Sequence, residues 1–222
     1  YDCDLEKTVD NLVDGSFFNS GQSCCGIERI YVDEKIFNSF LELFISKTYN
    51  YKLGNPLEQE NNLGPVVKLS AAEFIINQMN KALDKGAKKM IDENKFHFPK
   101  EHKNYLVPQI LTNVTHEMDF MTEETFGPCV GIMKVSDENE AVKLMNDSPY
   151  GLTASIWTND VEIAEKIGNQ VQTGTFFMNR CDYLDPALSW TGVKETGKGC
   201  SLSEIAYEKL TAPKSFHLRK GQ

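Results

Sequence analysis

The sequence predicts an α/β fold: a largely parallel sheet with helices on both faces. Two observations lead there. Segments with apolar residues at helical spacing alternate with short runs that are apolar without interruption, such as residues 130–133 and 175–178. Runs of that kind suit strands buried on both faces, as a parallel sheet between two helical layers requires. Composition agrees, because 222 residues with 41% hydrophobic side chains supply a sizeable core. Right-handed crossovers follow from the alternation.

Taken in order, Leu5, Val9, Leu12, Val13 and Phe17 share one helical face, with Asp2 or Asp4 placed to cap the first turn. Gly21 then supplies the dihedrals that end this run. Ile30, Tyr31 and Val32 form a short strand, followed by a helix with Ile36, Phe37, Phe40, Leu41, Phe44 and Ile45 on one side. Residues 54–65 are turn-rich, with Asn55-Pro56 and Gly64-Pro65 as breakers. Ser70-Ala71-Ala72-Glu73 has the form of a capping box, opening a helix with Ile75, Met79, Ala82 and Leu83 that Gly86 closes. Lys81, Lys85, Lys88 and Lys89 read as its solvated face. Pro108 within residues 104–111 predicts an edge or broken strand. A buried strand over 130–135 precedes a helix capped at Asp137. Residues 153–157 form a strand, 160–171 a helix with Ile163, Ala164 and Ile167 inward, and 175–178 another strand. Two units are expected: 1–180 as the α/β domain, and 181–222 as a closing loop, a short helix capped by Ser201-Leu202-Ser203-Glu204 and a terminal strand.

A net charge of −9 argues against a nucleic-acid partner, since phosphate binding needs a basic surface. No apolar run reaches membrane-spanning length, so no membrane partner is expected. Six cysteines without a C-x-x-C pair predict reduced thiols in a reducing, cytoplasmic compartment, and no metal site is predicted.

The stretch Phe17-Phe18-Asn19-Ser20-Gly21-Gln22-Ser23-Cys24-Cys25 carries the chemistry. A thiol presented on a turn can meet a substrate. Adjacent side chains rarely face one spot, so one cysteine of the pair should face a cleft and the other the interior. The run to Cys24 resembles the cysteine signature of the aldehyde dehydrogenase superfamily. Glu123-Glu124-Thr125-Phe126-Gly127-Pro128 resembles its E-E-x-F-G-P signature. Lys52-Leu53-Gly54-Asn55-Pro56, Leu63-Gly64-Pro65, Tyr150-Gly151-Leu152-Thr153, Gly174-Thr175 and Asn179 follow in the family's order.

The resemblance implies that Cys24 is the nucleophile and that NAD or NADP is the cofactor. Glu124 would hold the ribose next to the nicotinamide, Phe126 would pack beside it, and Asn179 would support the nucleophile loop. Cys25 is assigned to packing. A small-molecule aldehyde would be oxidised to an acid through a thiohemiacetal and a thioester. Passage of the acyl group to CoA, or a noncatalytic protein retaining the fold, are the alternatives. The resemblance also implies a homo-oligomer, in which the terminal strand pairs with a hairpin of another subunit. In the family a dinucleotide-binding half and an E-L-G-G general base lie upstream of the cysteine, so the chain reads as a catalytic-domain fragment that oxidises aldehydes poorly alone. It departs from the family's P-F-G-G-x-K-x-S-G pattern at Leu188-Ser189-Trp190-Thr191-Gly192-Val193-Lys194-Glu195-Thr196-Gly197, near the substrate channel, which Trp190, Phe18 and Tyr183 are candidates to line.

Overall fold

A computed structural model describes residues 1–98 and 101–221, so the last residue of the expected closing unit, 222, lies outside the described residues. Helix α1 (Leu5–Phe17) starts at Asp4, whose carboxylate accepts from the Lys7 N–H at 3.2 Å, and buries Val9, Leu12, Val13 and Phe17. Strand β1 (Arg29–Asp33) leads into α2 (Phe37–Thr48), and α3 (Leu69–Asp84) into β2 (Lys88–Lys89) and β3 (Gln109–Thr112). Then come β4 (Cys129–Val135), α4 (Glu138–Asn146), β5 (Thr153–Ile156), α5 (Val161–Gly168), β6 (Thr175–Met178) and α6 (Ile205–Leu210). Asp137 and Asp160 cap α4 and α5, each accepting two main-chain N–H groups.

The strands form two sheets, one in the order β1-β4-β3-β2 and a pair β5-β6. β1 with β4, β4 with β3, and β5 with β6 are parallel; β2 with β3 is antiparallel, so the larger sheet is mixed. Helices cover both of its faces. Ile30, Val32, Ile110, Val130 and Ile132 pack with α1 and α2, whereas Leu111 and Cys129 pack with Ala72, Ile75, Met79 and Ala82 of α3. Neighbouring residues of β3 and β4 thus enter opposite cores, which is why these strands read as unbroken apolar runs.

Several sequence expectations are corrected. β3 is an interior strand, fully buried between β4 and β2, because Pro108 precedes it and leaves its ladder intact. Lys88 and Lys89 are not on a helix. Gly86, at φ +101°, turns the chain out of α3, and the two lysines form the sheet's exposed edge, where charge discourages further pairing. Ser70 lies inside α3, whose N-cap is Lys68 without a side-chain cap bond. The short α6 starts after Glu204, with the Ser203 hydroxyl accepting from the Ile205 N–H at 3.3 Å. Residues 211–221 are exposed and irregular rather than a strand, since no neighbouring strand among the described residues takes up their hydrogen bonds. Ile163 of α5 is 39% exposed instead of inward. No helix among the described residues is long and apolar enough to cross a membrane.

Candidate active site

The cysteine motif is shaped by a tight left-handed turn. After α1, Asn19, Ser20 and Gly21 take φ values of 50°, 59° and 70° in succession. Gly21 is required twice over: its φ is costly for other residues, and a Cβ there would lie 2.1 Å from the Gly127 carbonyl oxygen. The polar residues dock the turn onto the loop holding Gly64 and Pro65. Ser20 Oγ donates to the Gly64 carbonyl at 2.7 Å, Gln22 Nε2 to the Asn19 carbonyl at 3.0 Å, and Gln22 Oε1 accepts from the Val67 N–H at 2.8 Å. Two motifs separated by some forty residues are therefore one structural unit.

The turn delivers the two cysteines to different surroundings. Cys24 is exposed, and Cys25 is buried. Cys25 Sγ donates to Asp182 Oδ1 at 2.9 Å, and Ser23 Oγ donates to the same oxygen at 2.8 Å. Burial, with that bond to a carboxylate, pushes the Cys25 thiol from 9.0 to about 12. Cys181 is also pushed to about 12, by burial and the neighbouring Asp182 and Asp14 charges, and burial raises Cys129 well above its ordinary value. Thiols raised this far above their ordinary value stay protonated at pH 7. Cys25, Cys129 and Cys181 are therefore poor nucleophiles.

Cys24 opens on a cavity of about 880 Å³ whose wall also includes Glu124, Glu28, Arg29, Tyr150 and Trp190. The Glu28 carboxylate fixes the segment that carries Glu124. It accepts from the Thr125 N–H at 3.1 Å and from the Phe126 N–H at 2.9 Å, while burial raises its pKa against these bonds. Tyr150 donates to Glu123 Oε2 at 3.3 Å. At the mouth, Lys194 Nζ donates to the carbonyls of Asn146 and Ser148 at 2.7 and 2.9 Å, and Thr196 Oγ1 accepts from the Gly151 N–H at 2.7 Å. These bonds fold the Gly- and Pro-rich closing loop back onto the entry to β5.

Of the residues singled out by sequence, Cys24 and Glu124 both line this cavity. Phe126 has φ 53° and is 39% exposed, outside the cavity wall. Asn179 clamps Thr158 beyond β5, with Oδ1 accepting from its N–H at 3.1 Å and Nδ2 donating to its carbonyl at 2.9 Å. Asp182 is the carboxylate that reaches the residues flanking Cys24. Trp190 lines the cavity, whereas Phe18 points to solvent and Tyr183 packs under the Arg180 guanidinium at 3.2 Å. Asp182 and Glu28 escaped sequence reasoning because their partners lie far along the chain. Among the described residues no cluster of His, Cys, Asp and Glu could hold a metal ion.

Comparison with known proteins places these features in context. The profile of the "Aldehyde dehydrogenase family" matches residues 1–216. A 3-sulfolactaldehyde dehydrogenase of Priestia aryabhattai is 33% identical over 95% of the chain, which covers 43% of that protein. A succinate semialdehyde dehydrogenase (NAD(P)+) of Escherichia coli is 35% identical over 94% of the chain and 45% of its own length. The crystal structure of betaine aldehyde dehydrogenase from Staphylococcus aureus in complex with NAD+ superposes with a TM-score of 0.87 at 29% identity, over 94% of this chain and 42% of that one. The chain thus spans less than half the length of these relatives.

Proposed function

The chain belongs to the aldehyde dehydrogenase family, and from that premise we propose that it carries the nucleophile of an enzyme oxidising an aldehyde to a carboxylic acid with NAD(P)+. One observation carries the reading: the exposed Cys24 thiol and the Glu124 carboxylate share a cavity, while the neighbouring thiol of Cys25 is buried and held protonated.

The chemistry requires the thiol because a planar carbonyl carbon does not readily release hydride. Cys24 attacks as a thiolate: a C–S bond forms, and the carbonyl π electrons move to oxygen. The main-chain N–H of Cys24, set by the turn, donates to that oxyanion. NAD(P)+, when bound, would supply the acceptor for the hydride, and the C=O bond of the Cys24 adduct re-forms as that hydride leaves. Cys24 then holds the acyl group as a thioester. Water adds to it, and the acid departs as the C–S bond breaks and the thiol regains its proton.

The residues fit the cofactor. Glu124 presents an acceptor-only group to a wall that ribose hydroxyls can approach, and the N–H bonds to Glu28 hold its segment still. Phe126, exposed beside it, packs against the ribose or ring. Asn179 supports the site indirectly by fixing Thr158 at the end of β5. Residues 1–180 form the α/β domain, and residues 181–222 close the site and associate with another subunit. The exposed Leu210, Phe216 and Leu218 of the terminal segment suit such association.

In the enzyme carrying this chain, Cys24→Ala is expected to abolish aldehyde-dependent NAD(P)H formation. Glu124→Gln is expected to raise the KM for NAD(P)+ several-fold. Undiminished turnover by Cys24→Ala rejects the assignment.

A further inference from the structure

Two adjacent residues of opposite charge, Glu28 and Arg29, grip the segment around Glu124 at both of its ends. Glu28 accepts from the Thr125 and Phe126 N–H groups, just after Glu124. Arg29 Nη1 donates at 3.0 Å to the carbonyl of Met121, just ahead of it. The carboxylate takes donors and the guanidinium takes an acceptor, so both contacts are of the strong, charge-assisted kind. The grip has a firm base. Arg29 pairs with Gly131 in the parallel register of β1 with β4, and the Gly131 N–H donates to the Glu28 carbonyl at 3.0 Å. Met121 is fully buried, and it packs so closely on the same glycine that a Cβ added to Gly131 would lie 2.3 Å from its Sδ.

The same Arg29 nitrogen reaches a second segment. It donates to Ser148 Oγ at 3.1 Å, and that oxygen also accepts from the Tyr150 N–H at 3.2 Å. The closing loop holds this segment as well. Lys194 Nζ donates to the Ser148 carbonyl, the Glu195 N–H to the Pro149 carbonyl at 2.9 Å, and the Val193 N–H to the Gly151 carbonyl at 3.0 Å. Tyr150 completes a ring of contacts by donating to Glu123, next to Glu124. Arg29 therefore touches both the segment that presents Glu124 and the segment on which the closing loop is seated. Cys24 lies a few positions earlier on the same stretch of chain, set by its own turn.

We propose that Arg29 is a positioning residue for the reaction: it sets how far the Glu124 carboxylate stands from the Cys24 thiol, and it ties that distance to the seating of the closing loop. This rests on Cys24 and Glu124 acting as proposed above. Nη1 carries two N–H groups in one plane at a fixed angle, and here each has its own acceptor, the Met121 carbonyl and Ser148 Oγ. A shift of the closing loop that moves Ser148 thus pulls on the guanidinium, and through it on Met121 and the turn leading to Glu124. Lysine does not reproduce this link, because its ammonium is a strongly hydrated point charge on a flexible stem. A misplacement of about 1 Å at a group that holds a reactant costs on the order of 100-fold in rate, so two bonds suffice to matter. The fold itself has other supports: β1 keeps its ladder with β4, and the Thr122 and Glu123 N–H groups still donate to the Asp119 carbonyl.

The test places Arg29→Met and Arg29→Lys in the enzyme carrying this chain. Arg29→Met keeps the bulk and loses both bonds, so the KM for NAD(P)+ is expected to rise about 10-fold while iodoacetamide alkylates Cys24 at an unchanged rate. Arg29→Lys is expected to fall in between. In a Glu124→Ala background Arg29→Met is expected to add nothing, since both changes then remove one function. Lys194→Met, which releases the Ser148 end, is expected to raise the same KM only while Arg29 is present. Equal factors in both backgrounds, or alkylation that slows in step with the rise in KM, would reduce Arg29 to packing and overturn the proposal. Hydrogen exchange at the Thr125 and Phe126 amides needs no cofactor, and it is expected to quicken about 10-fold in Arg29→Met. Should Glu124→Ala leave the KM for NAD(P)+ unchanged, the role of Glu124 fails and exchange decides the link separately: faster exchange supports it, and an unchanged rate overturns it. If Arg29→Met does not fold, Ser148→Ala removes one acceptor and keeps the charge, and the same two outcomes apply.

Discussion

Asp182 Oδ1 accepts two hydrogen bonds from residues flanking the nucleophile, from Ser23 Oγ at 2.8 Å and from Cys25 Sγ at 2.9 Å. One carboxylate oxygen near the end of the fold thereby sets the path of a turn 157 residues away. Asp182→Ala leaves both donors without their acceptor, which costs about 1–3 kcal/mol of stability. The expected result is a lower urea midpoint together with slower alkylation of Cys24. Asp182→Asn, which keeps an acceptor oxygen, should recover part of both. Unchanged values for Asp182→Ala would show that the turn holds itself.

Thiol reactivity should separate the cysteines. Iodoacetamide at pH 8 is expected to modify Cys24 first, with Cys25 and Cys181 reacting slowly until the pH approaches about 12, where they ionise. Peptide mass spectrometry over a pH series checks this. Equal labelling of Cys24 and Cys25 at pH 8 would contradict it.

Gly21→Ala combines a left-handed backbone with a Cβ placed 2.1 Å from a main-chain oxygen that has no freedom to swing aside. The left-handed conformation alone costs about 1–2 kcal/mol, and relieving the clash adds to it. Thermal unfolding should report a loss above about 2 kcal/mol. Gly197→Ala, where nothing lies within 4 Å of the added Cβ, should cost less despite its φ of +130°.

Glu28 makes stability depend on pH. Burial raises its folded pKa above 4.5. The folded state therefore holds this proton more tightly than the unfolded state does. The resulting stabilisation is complete below pH 4.5 and is lost as pH rises toward the folded pKa. Glu28→Gln keeps an acceptor for the Thr125 and Phe126 N–H groups and cannot ionise. Urea titrations from pH 4 to 8 should show wild type losing stability relative to Glu28→Gln as pH rises. A constant difference would mean that burial does not shift this carboxyl.

Local rules made much of the fold legible. The apolar spacing of α1, the caps at its start and at Asp137, and the unbroken runs of β4 and β6 are each written within a few residues, because capping and periodicity act over one or two turns. The same holds for the exposed and buried members of the Cys24-Cys25 pair, which adjacency in the chain already separates. Tertiary packing decided the rest. Pro108 marks a strand's start rather than its edge because β2 pairs beyond it, and Lys88 and Lys89 leave the helix because Gly86 turns the chain. Asp182 and Glu28 became visible only on folding, when residues roughly a hundred or more positions apart came within hydrogen-bonding distance. Sequence alone determined where most of the helices and strands run and that the two adjacent thiols part, since those depend on neighbours along the chain; the choice of Cys24 as the outward one came from the family resemblance. Which carboxylates hold the turn depended on the three-dimensional meeting of distant segments.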